Sequence, residues 1–159
     1  MSKPQTTPLD NNIINRPAHY VEGRRIEPIT VIEDFGLCHH LACVVKYIAR
    51  AGRKTSILND LKKAAWYLDR EIQRSNSGIN PCAQALGVAP TFSIQEIVED
   101  WKLSAYLEAS LSYILAVRLG SLGKGCCSIK TLRNYASSLK NAMAHLQLSI
   151  TKHEQGDSK

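Results

Sequence analysis

Lys46 and Arg50 stand four residues apart, a spacing that puts both on one face of a helix, and Arg53 and Lys54 follow just beyond. Asp60, Lys63 and Tyr67 stand at i, i+3 and i+7, again one helical face. The connection Ala51-Gly52-Arg53-Lys54-Thr55-Ser56 delivers cations close to the start of the following helix. Free N–H groups and the positive dipole end make such a start attractive to anions, and arginine grips phosphate through two donors. Tyr67 would add an aromatic face, and Asp60 an oxygen ligand for Mg²⁺. Two readings are open here: a phosphate site, or a solvated basic rim in which Lys63 and Asp60 form an ordinary surface pair.

His19-Tyr20 precedes the first helical segment. It reads either as a flap that closes over a ligand or as a packing staple at a helix start. Glu33-Asp34 is matched by Glu99-Asp100 later in the chain. A pair retained where other charges are lost reads as structural, and a catalytic Glu33 is the alternative.

Three other patterns are discounted. Gly120-Ser121-Leu122-Gly123-Lys124-Gly125 lacks the spacing, the Ser/Thr and the preceding strand of a P-loop. Cys38-His39-His40 with Cys43 has soft ligands, but successive helical residues point apart and no second pair completes a tetrahedron. No paired E-x-x-E and E-x-x-D segments occur, which argues against the carboxylate-rich helical pyrophosphohydrolases. No resident metal site is therefore assigned.

The elements that must position these residues say nearly the same thing twice. Val31-Ile32-Glu33-Asp34-Phe35-Gly36-Leu37 is echoed by Ile97-Val98-Glu99-Asp100-Trp101-Lys102-Leu103, and Tyr47-Ile48 by Tyr113-Ile114, both 66 residues on. Leu61-Lys62-Lys63-Ala64 and Leu68 to Ile72 recur as Leu139-Lys140-Asn141-Ala142 and Leu146 to Ile150, now 78 residues on, after a longer loop around Gly120–Ser128. Lys46, Arg50, Asp60, Lys63 and Tyr67 face Ser112, Ala116, Ser138, Asn141 and His145. Keeping the apolar pattern while losing the charges implies one working half and one supporting half.

Helical periodicity predicts helices over Glu27–Leu37, His39–Ala51 and Asn59–Arg74, with Gly36 and Gly52 as terminators and Asn59 or Asp60 as an N-cap. Their apolar stripes are Ile29, Ile32 and Phe35; Leu41, Val44, Val45, Ile48 and Ala49; and Leu61, Ala64, Ala65, Leu68 and Ile72. Ser93–Leu103, Tyr106–Gly120 and Lys130–His153 repeat the set. The expected fold is all-α, about six helices, as two degenerate three-helix repeats packed as a pseudo-dimer. The organisation reads as a tail (1–15), a first repeat (16–74), a linker (75–92), a second repeat (93–153) and a short tail (154–159).

A net charge of +6 favours polyanionic partners, nucleotides before nucleic acid, without proving either. No stretch approaches the roughly 20 apolar residues that span a bilayer, and the first residues lack the apolar run of a signal peptide. A cytoplasmic protein is the expectation. The five cysteines are an odd number with no repeating spacing, and they read as reduced.

Pro17-Ala18-His19-Tyr20, Ile26-Glu27-Pro28-Ile29, the Val31–Leu37 run, Lys46-Tyr47-Ile48-Ala49-Arg50-Ala51-Gly52-Arg53-Lys54 and Asp60–Leu68 together resemble a family of small phage proteins. That family is catalogued as a domain of unknown function. It is often labelled a P-loop-free nucleotide kinase after a member in T7-like coliphages. The resemblance covers residues 16–74 and marks His19, Tyr20, Lys46, Tyr47, Arg50, Gly52, Lys54, Asp60, Lys63 and Tyr67. Cys38-His39-His40 and Ala42-Cys43 depart from it, and so does the appended second copy. It implies a nucleotide-binding protein acting in an infected bacterial host. Arg50, Arg53, Lys54 and Lys63 would cradle phosphates, Lys46 and Tyr67 would add to the binding face, and His19 and Tyr20 would close over the base. As a nucleoside monophosphate kinase it would use Asp60 and Lys63 in catalysis, with Mg²⁺. The alternatives are a non-catalytic sequestering or regulatory binder, a nucleic-acid accessory protein, or a scaffold; homo-oligomers are compatible with all of them.

Overall fold

The computed structural model describes residues 17–53, 56–77, 89–119 and 129–156, with only the backbone path for His19, Val21 and residues 129–133. Among these residues every regular element is a helix. A single turn, α1 (Ala18–Val21), leads to six longer helices: α2 (Pro28–Asp34), α3 (His39–Arg50), α4 (Ile57–Asn76), α5 (Ile94–Trp101), α6 (Ala105–Leu119) and α7 (Ile129–Gly156). None is long and apolar enough to cross a membrane.

Local chemistry sets the boundaries. Pro28 occupies the first turn of α2, where its missing N–H costs nothing. The helix ends in a Schellman motif: Leu37 N–H donates to Ile32 O, Gly36 N–H to Glu33 O, and Gly36 takes φ +52°. Lys102, 66 residues after Gly36, ends α5 in the same left-handed conformation, at φ +51°. Ser93 opens α5 with a capping box completed by Glu96. The N-cap of α4 is Ser56, which accepts from the Asn59 N–H at 3.4 Å. The helix starts before Asn59 and Asp60, so neither caps it, because Asp60 is turned inward for another task.

Most of the stripes on α3 and α4 close the core: Leu41, Val44, Val45, Ile48, Ala49, Leu61, Ala64 and Leu68 are all fully buried, while Ala65 and Ile72 pack against it partly buried. On α2 the stripe is shifted. Val31 and Phe35 are buried, whereas Ile29 is 53% exposed because it lines a surface cavity. The closest helix pairs are α3 with α4, α6 with α7, and α4 with α7, and one apolar cluster runs through all of them.

Polar ties cross between the segments before and after residue 77. Asp34 accepts from the backbone N–H groups of Thr91 (2.8 Å) and Phe92 (3.1 Å). Asp100 accepts from Arg25 (3.0 Å) and Ile26 (2.8 Å). The Trp101 indole donates to Ile26 O, and buried Arg118 donates through Nε to Phe35 O, each at 2.8 Å. Glu33-Asp34 and Glu99-Asp100 thus serve structure through their aspartates. Lys54, Thr55, the segment 78–88 and the Gly120–Ser128 loop with its P-loop-like glycines lie outside the described residues.

Candidate functional site

The geometry gathers three of the expected cations around one ring. Tyr47 on α3 stacks with Tyr67 on α4, centroids 5.9 Å apart and planes 21° apart. Three cations stand near the Tyr47 ring: Lys46 Nζ at 4.8 Å, the Arg50 guanidinium at 4.9 Å and Lys63 Nζ at 5.7 Å. Lys46 is half-buried and Lys63 exposed, and neither ammonium makes an ion pair among the described residues. Cations gathered about one ring raise the local positive potential, and with Arg50 held by Asp60 the two ammonium groups are the charges left unbalanced.

Arg50 and Asp60 behave differently from the expectation. Asp60 is completely buried, and its two carboxylate oxygens accept from Arg50 Nε (3.1 Å) and Nη2 (2.5 Å). The Arg50 guanidinium is held above its ordinary value, first by that hydrogen bond to Asp60 against the opposing effect of burial, with a further contribution from the Tyr20 hydroxyl. A carboxylate with both oxygens on one guanidinium does not fit the role of a Mg²⁺ ligand. It fits a brace that holds Arg50 against Tyr47 and locks α3 to α4.

Beside Lys46 opens a cavity of about 270 Å³, walled by Pro17, Tyr20, Glu27, Pro28, Ile29 and Ile32. Its walls are mostly apolar and its edge carries both Glu27 and Lys46, which suits a molecule with a flat apolar end and a polar end. The Tyr67 phenol is raised above its ordinary value, first by the neighbouring Cys43 thiol and then by burial, so it remains a neutral hydrogen-bonding group at physiological pH. Arg53 turns elsewhere: its guanidinium donates to Glu22 O and lines a different cavity. The His19 side chain and Lys54 lie outside the described residues.

Sequence reasoning missed the neighbouring His40–Glu71 pair. Glu71 is fully buried on α4 and accepts from His40 Nδ1 (2.9 Å) and from the Tyr135 hydroxyl on α7 (2.8 Å). His39 and His40 both lie edge-on or tilted beside Tyr67, at 6.0 and 6.3 Å. His39 Nε2 is 3.9 Å from Cys43 Sγ, while His40 faces Glu71, and Cys43 is a free thiol. Among the described residues no group of three or more His, Cys, Asp or Glu side chains is placed to hold a metal.

The corresponding positions later in the chain keep the aromatic geometry. Tyr113 and His145 stack at 5.8 Å with planes 17° apart. Around them stand Ser112, Ala116 and Asn141 in place of the three cations.

An all-helical protein with a cation-ringed aromatic pair in its first half is the class that fold and site define. Residues 14–69 match the family model described as a protein of unknown function (DUF3310), so that domain is found from just before α1 to within α4. Comparison with curated proteins and with solved structures gives no match.

Proposed function

We propose that the first half of this chain binds a nucleotide, and that the whole is a fused pseudo-dimer in which the second half supports the first. The observation that carries the binding reading is the trio Lys46, Arg50 and Lys63 around the Tyr47–Tyr67 stack, next to an apolar cavity. The base would enter between Tyr20, Ile29 and Ile32, and the phosphates would meet the ammonium groups of Lys46 and Lys63. Arg50, braced by Asp60, would present a fixed positive face behind them. The Tyr113–His145 stack without cations supports the division of labour between the halves. The exchange of backbone hydrogen bonds by Asp34 and Asp100 supports the pseudo-dimer, because 91 and 92 answer to 25 and 26 in the same 66-residue register.

Binding without turnover, in a sequestering or regulatory role, is the form favoured by the engagement of Asp60. Phosphoryl transfer is the second reading, favoured by two unpaired ammonium groups that could neutralise charge on a moving phosphoryl group. Lys46 and Lys63 would then do the electrostatic work, and Asp60 would act only through Arg50.

The test is calorimetric titration with nucleoside mono- and triphosphates, with and without Mg²⁺, followed by an assay of each binder for ATP-dependent phosphorylation. Saturable binding weakened at least about tenfold in Lys46→Ala/Lys63→Ala is expected, the loss of two charge-assisted contacts. Turnover that vanishes in the same variant establishes the kinase. Equal affinity in both proteins overturns the site.

A further inference from the structure

A second cavity, of about 300 Å³, shares no lining residue with the first. It lies where the loop after α3 meets the end of α5 and the start of α6, and it is lined by Arg24, Arg53, Lys102, Ser104, Trp101 and His153 among others. Three permanent cations and a histidine converge there. The acid whose charge acts on Arg24 is Asp100, and its carboxylate is already engaged by the backbone N–H groups of Arg25 and Ile26.

Arg24 is the unusual member. Its guanidinium lies 5.0 Å from the Trp101 ring and donates through Nη2 to Ala49 O. Nε and Nη1 are covered from solvent and have no hydrogen-bond partner among the described residues. Arginine side chains that are buried almost always satisfy their donors, and an orphaned charged donor is costly. Burial first, and then the charge of Arg53, push this guanidinium down to about 10, against the opposing pull of Asp100. Folding has therefore placed a partly desolvated cation beside other cations, with two donors unanswered. Apolar walls from Trp101, Ile48 and Leu107 would strengthen any charge interaction made inside.

We infer that this cavity is an anion site for a phosphate group, with the desolvated Arg24 guanidinium as its fixed inner cation and Arg53 and Lys102 as outer cations. Nε and Nη1 lie on opposite edges of the guanidinium and Nη2 is held by Ala49 O, so Arg24 would meet a phosphate through one edge and its charge. The exposed Arg53 and Lys102 side chains can close over the remaining oxygens. Ser104, just before α6, brings the free N–H groups of that helix's first turn to the same rim. The site is independent of the nucleotide reading above, since it uses none of Lys46, Lys63 or Tyr67. The phosphate could be inorganic or the end of a phosphomonoester, and both present the same dianion.

The experiment follows the Arg24 side-chain Nε–H resonance of the full-length protein during titration with inorganic phosphate and, separately, with adenosine monophosphate. Saturable movement of that resonance is expected, with affinity falling at least about tenfold in Arg24→Gln. A partial loss is expected in Arg53→Ala/Lys102→Gly, and no change in Lys46→Ala/Lys63→Ala. A preference for one probe identifies the source of the phosphate. If Arg24→Gln does not fold, the Arg53→Ala/Lys102→Gly protein decides, because both side chains are exposed and glycine suits the left-handed position 102. A resonance that does not move, or binding weakened only by Lys46→Ala/Lys63→Ala, overturns this site. The latter result would leave the nucleotide reading standing.

Discussion

Asp34 and Asp100 do the same work in opposite directions. Asp34 receives two backbone N–H groups from the segment before α5, and Asp100 receives those from the segment before α2. Each carboxylate ends one short helix and fastens the entry to the other. Hydrogen bonds to a charged acceptor contribute about 1.5–3 kcal/mol each when shielded, and less near water.

Replacing either aspartate by alanine should therefore destabilise the protein by about 1–2 kcal/mol, and the two losses should be similar. Urea denaturation of Asp34→Ala, Asp100→Ala and the double variant tests this. A large loss for one and none for the other would show that the tie is not reciprocal and would weaken the pseudo-dimer reading.

Arg50 and Asp60 form the second testable relationship. Removing one partner of a buried pair leaves the other uncompensated. Because the Arg50 side chain keeps 14% exposure, Arg50→Ala should cost about 3 kcal/mol, the lower end for such pairs. Arg50→Met/Asp60→Leu should recover much of that loss, since an apolar pair of similar volume has no charge to desolvate. Chemical denaturation of the single and double variants measures the coupling. Additive losses would mean that Asp60 acts independently of Arg50 and would return it to consideration as a ligand or catalytic group.

These two pairs show what the sequence could and could not carry. The apolar stripes on α3 and α4 were legible because a 3.6-residue period is a local signal. Gly36 and Gly52 were legible as terminators for the same local reason, and both take positive φ. The roles of Asp60, Glu71 and Arg24 were not legible. Each depends on a partner supplied by another element: Arg50 across the α3–α4 contact, Tyr135 from α7, and the Ala49 carbonyl. By residue type Asp60 reads either as a Mg²⁺ ligand or as a surface partner of Lys63, and only the packing of α3 on α4 reveals Arg50 as its partner. Ile29 belonged to the α2 stripe by spacing, yet its place beside Tyr20 makes it a wall of the cavity instead of core. Arg24 gave no signal beyond standing in a basic dipeptide.

The capping box of α5 makes a prediction in acid. Glu96 is held below its ordinary value, first by the backbone N–H of Ser93 and then by the Ser93 hydroxyl. A carboxylate depressed in the folded state stabilises fully above its unfolded value, near 4.5, and the contribution disappears as pH falls through the lower folded value. The stability of the wild-type protein should thus decline below pH 4.5 more steeply than that of Glu96→Gln. Melting temperatures between pH 3 and 6 check it, and parallel curves for the two proteins would show that the box contributes nothing through charge.

The strongest prediction concerns what the second half lacks. Tyr113 and His145 already stack as Tyr47 and Tyr67 do, within 0.1 Å in centroid separation (5.8 against 5.9 Å). If the cations make the difference, restoring them should restore binding. Ser112 and Asn141 answer to Lys46 and Lys63 and lie at least partly exposed, so lysine can be accommodated at both. Ser112→Lys/Asn141→Lys should raise the calorimetric stoichiometry for a bound nucleotide from one toward two. The new site should be the weaker, because Ala116 leaves it without a counterpart of Arg50, and a single charge-assisted contact is worth about tenfold. The added charge should also make binding more salt-sensitive. A stoichiometry that stays at one, in a protein that remains folded, would mean that the cavity beside Tyr20, Ile29 and Ile32 selects the ligand and that the cations only tune its affinity.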